Sequence, residues 1–262
     1  MDLLNTVIQW ILVCGLYALF ATGLSLIFGV MQMVNIAHGD LIVLAAYVAK
    51  VVVNAIDLHP LLALNGVVPL MGGFGYLLQR GILKRTLGKD LLPPLLVSFG
   101  LSVIVQNGLL ETFTADSQKL TAGALETASF TIAGISVGYL PLLMFATAVA
   151  VIAGLQFLFY RTALGRAFRA TSDDAEIAGL MGLDRARVYG WAMALCLGVV
   201  AIAGVFLAIR SNFDSFMGPG RPGICITCGF AWILGYSKPR YSFSSFLAFW
   251  GTLAPRLTIW CS

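Results

Sequence analysis

Charge is what this sequence has least of. Only 11% of its 262 residues are Asp, Glu, Lys or Arg, whereas 59% are hydrophobic, and the mean hydropathy is +0.91. A soluble domain carries about a quarter charged residues and roughly half apolar ones. A globule of this length could not clothe its surface with so few charges, so the excess apolar surface must face lipid. The same shortage excludes disorder, which needs high charge and few apolar residues. The net charge of +4 supplies no basic face for nucleic acid, because the cations are needed for membrane topology. Histidine is nearly missing: His38 and His59 stand alone, and neither has a cysteine or carboxylate set at metal-ligand spacing. Five scattered cysteines form no secreted disulfide framework, and Cys225-Ile226-Thr227-Cys228 is a lone CxxC that reads as chance. A phosphate cradle is also missing. The run Gly81 to Lys89 ends in Gly88-Lys89, but Leu83 breaks the Gly-x4-Gly-Lys pattern. The chain is expected not to be an enzyme and to hold no metal or other cofactor itself.

What is present is a series of long apolar runs. Six of them, about Val7–Val34, Leu41–Ile56, Leu61–Leu78, Leu91–Leu110, Val137–Tyr160 and Val188–Ile209, predict an all-α transmembrane helix bundle, since about 20 apolar residues cross a ~30 Å hydrocarbon core. The first is too long and too lightly charged at its start for a cleaved signal peptide and reads as a permanent span. Lys50 interrupts the second and is expected near a helix end, snorkelling. Arg80, Lys84, Arg85 and Lys89 cluster in one loop, and Arg161, Arg166, Arg169, Arg185 and Arg187 in another. The loop between spans four and five carries Glu111, Asp116 and Glu126 against Lys119. The basic loops are therefore expected in the cytoplasm and the amino terminus outside. The stretch from Thr114 to Gly138 reads as irregular or as a short hairpin. Ala21, Ser25 and Gly29 form a small-residue stripe suited to close helix packing.

Two segments stand out from the oily background. Asn35-Ile36-Ala37-His38-Gly39-Asp40 joins the first two spans with almost no loop. One reading is a tight cytoplasmic turn, with Asn35 and Gly39 as helix stop and Asp40 as the next helix cap. The other is a broken helix at a translocation path, because irregular backbone survives at membrane depth only when buried or lining a cavity. The second segment runs from Thr171 to Gly182. Thr171 and Asp174 have capping-box-like spacing, acids follow in the first turn, and Ile177, Leu180 and Met181 make an apolar stripe. Gly179 and Gly182 close the piece. A short amphipathic helix is expected there. It would rest on lipid or dock a soluble partner, and the display of Asp173, Asp174 and Glu176 against anionic lipid favours docking.

At these segments the chain resembles the permease subunits of branched-chain amino-acid ABC importers, the Liv type. The stretch Gly23-Leu24-Ser25-Leu26-Ile27-Phe28-Gly29 through Asn35-Ile36-Ala37-His38-Gly39-Asp40 resembles that family's first-span signature. Ser98-Phe99-Gly100 through Gln106-Asn107 is similar to its fourth span, and Ala178-Gly179-Leu180-Met181-Gly182-Leu183 resembles its coupling loop. The resemblance implies a bacterial inner-membrane complex: a second permease subunit, two cytoplasmic ATPase subunits that bind the ATP, and a periplasmic substrate-binding protein. It makes Asn35, His38, Gly39, Asp40, Gln106 and Asn107 candidates for the translocation path. Asp174, Glu176, Ala178, Gly179 and Gly182, within the loop 161–187, become candidates for ATPase coupling. A stand-alone channel or facilitator for urea or another small polar solute is the competing reading, and a frame-damaged permease is a third.

The resemblance covers residues 1–218, the expected permease domain. Beyond Gly218 the chain reads Pro219-Gly220-Arg221-Pro222-Gly223, acids are absent after Asp214, and no run is long enough to cross a bilayer alone. This tail, 219–262, is expected to be either frame-shifted or a re-entrant pair of half-helices.

Overall fold

The computed structural model of the chain describes residues 2–33, 35–56, 60–85, 92–113, 116–121, 123, 128–132 and 135–215. The readings of His59, Lys89, the CxxC and the tail 219–262 fall outside these residues. The chain runs through α1 (Asp2–Met31), α2 (His38–Ile56), α3 (Pro60–Gly81) and α4 (Leu92–Phe113). After a hairpin it continues as α5 (Tyr139–Arg161), two short helices, α6 (Ala163–Asp173) and α7 (Ala175–Leu180), and finally α8 (Arg185–Arg210). Six of these helices, all but α6 and α7, are long and apolar enough to cross a membrane. They are the six read from the sequence, with boundaries shifted by a few residues. Proline marks three starts: Pro60 opens α3, Pro93 and Pro94 lie in the first turn of α4, and Pro141 in that of α5. A first-turn N–H has no helical partner to lose.

The stretch between α4 and α5 holds the hairpin, β1 (Ser129–Ile132) against β2 (Ile135–Gly138), antiparallel with Ser129 opposite Gly138. The bundle thus has a hairpin end and a basic end. At the basic end Tyr76 of α3 packs on Trp191 of α8 at 5.7 Å between ring centroids.

Helix α8 is the axis of the bundle, 83% buried over its apolar window, whereas α5 is 11% buried. Lipid tails give no hydrophobic drive between spans, so close backbone approach has to hold them. A Cβ on Gly75 would stand 2.8 Å from the Met193 carbonyl oxygen, and one on Gly204 2.8 Å from the Ile42 carbonyl oxygen. These two glycines seat α3 and α2 on α8. On α1 the close approach is made at Gly15, where a Cβ would meet the Phe145 backbone at 2.7 Å. The expected stripe is corrected accordingly. Ala21 and Ser25 are buried, but Gly29 is exposed and has no atom within 4 Å of an added Cβ.

Lys50 differs from expectation in its place on the helix, not in its snorkelling. It lies more than a turn short of the end of α2, half-buried, and its ammonium donates to the Gln118 amide oxygen at the hairpin end. The length of the side chain, not helix position, brings the charge out of the apolar layer.

Candidate functional site

Helix α1 stops at Met31. Gln32 donates its N–H to the Phe28 carbonyl at 2.9 Å with φ at +52°, a left-handed conformation costing a non-glycine residue roughly 1–2 kcal/mol. The chain then turns back alongside α1. His38 Nε2 donates to the Phe20 carbonyl oxygen at 3.1 Å, which fixes the tautomer because a carbonyl only accepts. Phe20 lies roughly 16 Å up the helix from Met31 at 1.5 Å per residue, so α2 begins inside the bundle rather than at its basic end. The turn between the two helices is therefore buried within the bundle.

Three details of the turn reading are corrected. Gly39 is no helix stop but the second residue of α2. Nor is Asn35 a stop. Its Oδ1 accepts the Ala37 N–H at 3.1 Å and its carbonyl accepts the His38 N–H at 3.3 Å, so it opens α2 as an Asx turn. Asp40 is no cap either. It sits in the first turn of α2 and reaches across to α4, accepting from Ser102 Oγ and from Gln106 Nε2 at 3.0 Å.

Ser98, Ser102 and Gln106 stand four apart and so share one face of α4. Ile36 N–H donates to Ser98 Oγ at 3.3 Å, and Gln106 Nε2 also reaches Ser102 Oγ at 3.1 Å. The polar face of α4 thereby holds the whole break. Asp40 is only 3% exposed. A carboxylate at mid-bilayer costs about 2.5–3.5 kcal/mol on insertion scales, and hydrogen bonds to a charged group return about 1.5–3 kcal/mol each. Gly39 is half-buried beside it. Gly23 makes room for His38, since a Cβ there would come 3.0 Å from the imidazole Cε1. Among the described residues, Asn35 Nδ2, His38 Nδ1 and Ser25 Oγ are buried without a hydrogen-bond partner.

Gln106 joins this cluster and Asn107 does not. Asn107 is exposed on the far side of α4, its amide donating to the Val103 carbonyl at 2.8 Å. Sequence reasoning missed Ser98 and Ser102, although their four-residue spacing to Gln106 is a signal that could have found them.

Toward the hairpin end the α2–α4 seam is closed by aromatics. Tyr47, two turns beyond Asp40 on the same face of α2, stacks on Phe113 at 4.6 Å and meets Phe213 edge-on at 5.0 Å. Its hydroxyl shares a 3.2 Å hydrogen bond with Ser215 Oγ. Phe213 is held in place by reciprocal backbone bonds with Gln118, at 2.8 and 2.9 Å.

At the basic end, α6 starts on Thr162, whose Oγ1 accepts the Gly165 N–H at 3.2 Å. The capping-box reading of Thr171 is corrected: this residue lies buried in the last turn of α6, its hydroxyl donating back to the Ala167 carbonyl at 2.8 Å. Thr171 stands three residues before the N-cap position of α7, inside the preceding helix, so its oxygen does not reach the free N–H groups of α7. Asp174 alone caps α7, its Oδ1 accepting from Glu176 N–H at 2.8 Å and Ile177 N–H at 3.0 Å. The N–H groups of Ile177 and Glu176 hold its carboxyl below the usual range.

Gly182 ends the helix with φ at +86°. Gly182 N–H bonds to the Gly179 carbonyl and Leu183 N–H to that of Ala178, both at 3.1 Å, the Schellman pattern that favours glycine. Ala178 is buried, and Glu176 and Gly179 are exposed. Ile177, Leu180 and Met181 project outward with 58%, 85% and 82% of their surface exposed.

The two segments touch the same place on α1. Ser172 Oγ donates to the Gly29 carbonyl at 2.6 Å, and Gln32 Nε2 donates to the Ser172 carbonyl at 3.2 Å. The approach to α7 is therefore tied to the residue where the re-entrant segment begins.

These features make the chain a multi-pass membrane protein that carries polar chemistry inside its bundle. The family described as branched-chain amino acid transport system / permease component matches residues 6–252, past the boundary at Gly218 where the resemblance read from the sequence stops. The chain belongs to that family. It is 25% identical over 239 residues to the high-affinity branched-chain amino acid transport system permease protein BraD of Pseudomonas aeruginosa, covering 86% of this chain and 75% of that protein. It is 26% identical over 206 residues to the permease protein LivH of Salmonella typhimurium, covering 73% of this chain and 66% of LivH. A probable LivH of Methanocaldococcus jannaschii is 27% identical over 202 residues, covering 73% and 62%. No solved structure matches the chain.

Proposed function

We propose that the chain is a permease subunit of an ATP-driven importer of branched-chain or related amino acids. It would lie in a bacterial inner membrane with its basic end in the cytoplasm and its amino terminus in the periplasm. The observation that carries this reading is α7: three large apolar side chains projecting from a capped, glycine-terminated helix at the basic end. Such a tip fits a groove on a soluble partner, and a stand-alone channel has no use for it. The family membership supports the same partners: two ATPase subunits that bind the ATP, a second permease subunit and a periplasmic substrate-binding protein. This chain itself takes no cofactor.

On this reading, movement of the ATPases displaces α7. The Ser172 contacts with Gly29 and Gln32 pass that displacement to the end of α1 and to the segment bearing Asn35, His38 and Asp40. Each step acts through contacts that differ between inward- and outward-facing states. The test is a gentle-detergent pull-down of the tagged chain from native membranes with its partners identified by mass spectrometry. Wild type should bring down an ATPase and a second permease, and Leu180→Arg should keep the permease and lose the ATPase. A wild-type chain recovered alone would favour the channel reading or a damaged product. The intact mass of residues 219–262 would then tell a shifted frame from a genuine ending.

A further inference from the structure

We infer that Asp40, with Ser102 and Gln106, forms the subsite for the protonated amino group of the solute, at the α2–α4 seam. This rests on the importer reading and names the part of the substrate that the site takes.

Both Asp40 oxygens are used as acceptors, Oδ2 by Ser102 and Oδ1 by Gln106. Ser102 Oγ in turn accepts from Gln106, so its single proton is directed at Asp40. An arrangement that surrounds a carboxyl with donors suits its ionised form. Yet these donors are neutral, and among the described residues no lysine or arginine comes within ion-pair distance of Asp40. A buried carboxylate held as an acceptor, with no fixed cation, is matched to a cation that comes and goes.

A structural tie between α2 and α4 would have needed only neutral partners. The same segment keeps a donor unused: Asn35 Nδ2 is buried with no partner, five residues before Asp40 and just ahead of α2. An acceptor for ammonium and a spare donor for carboxylate on one short segment suit the head group of a zwitterionic amino acid. The aromatic closure formed by Tyr47, Phe113 and Phe213 separates this seam from the hairpin end. Solute coming from that side reaches Asp40 only when the closure opens.

The test uses the assembled transporter in proteoliposomes, with leucine as solute. Asp40→Asn keeps the size of the side chain, removes the charge and leaves one acceptor oxygen where there were two. It should lower leucine uptake at least about tenfold, the scale of losing one charge-assisted contact, while Asp40→Glu retains part of it. A second measurement needs no solute. In a chain whose native cysteines are replaced, Gln106→Cys should react faster with a cationic methanethiosulfonate than with an anionic one, and Asp40→Asn should abolish that preference. Both results are required. Unchanged uptake in Asp40→Asn overturns the proposal, as does a Gln106→Cys thiol that reacts equally with both reagents while Asp40 is present. A wild-type complex that moves no leucine breaks the importer reading instead, and the reagent comparison then decides by itself whether the carboxylate draws cations.

Discussion

The segment Asn35–Asp40 and the helix tip Ile177–Met181 invert the rule of their surroundings in opposite ways. The first places Asn, His and Asp inside an apolar bundle, with all three at 3% exposure. The second places Ile, Leu and Met outside it, among charges. The first is held by an Asx turn and by a serine-glutamine face on α4, far away in sequence, the second by purely local devices, an aspartate cap and a glycine stop. Polar groups pulled inward need partners within the chain, whereas apolar groups pushed outward need one from elsewhere. The buried segment should therefore be sensitive in stability, and the exposed one sensitive only in association.

The largest effect should come from the frame that holds the polar segment in place. Gly204→Leu forces a side chain onto Ala45 and the Ile42 carbonyl, and it should cost about 3 kcal/mol or more. Loss of the monodisperse peak in detergent would report it; an unchanged profile would mean that α2 does not lie on α8 there. Ser102→Ala removes one of the two donors to Asp40 and should lower the unfolding free energy by about 1–3 kcal/mol, read from thermal unfolding in detergent. If that variant matches wild type, the seam is not the buried polar contact described above.

On the exposed side Leu180→Arg should leave stability within about 0.5 kcal/mol while abolishing ATPase capture, so destabilisation by this variant would erase the contrast. The smallest effect concerns the cap of α7. The Asp174 carboxyl is lowered from its ordinary 3.8 by the N–H groups of Ile177 and Glu176. Its contribution is then fully present above the ordinary value and is lost as pH falls through the lowered one. Pepsin should leave the bond after Leu180 intact as pH is lowered to about 4 and cut it only below that. Cutting that begins well above the ordinary carboxylate range would show that Asp174 does not hold the helix.

Legibility in the sequence follows the range of the forces involved. Caps and stops are readable because their bonds span two to five residues: Gly179 and Gly182 read as closing the helix, whereas Asp174 reads as the box partner of Thr171 and is itself the cap. Asp40 reads as a cap for the same reason, and wrongly. Its type suits that local role, and nothing nearby in the chain reveals that Ser102 and Gln106, more than sixty residues on, take its oxygens instead. Thr171 falls between two helices that are each locally consistent, and its sequence neighbours do not say which of them claims it. Gly15, Gly75 and Gly204 carry no mark in the sequence, because a glycine at a close approach looks like any other.

Composition and hydropathy by themselves determined the solvent, the number of spans and the sign asymmetry between the two ends, since each is a sum over residues that ignores which helix meets which. Only the tertiary structure decided that α2 begins beside Phe20 and not at the basic end, that α8 is the buried axis and α5 its exposed flank, and that Gln106 turns toward Asp40 while Asn107 turns away. Those outcomes depend on the depth and rotation of one helix against another, and small residues and buried polar contacts far apart in sequence set both.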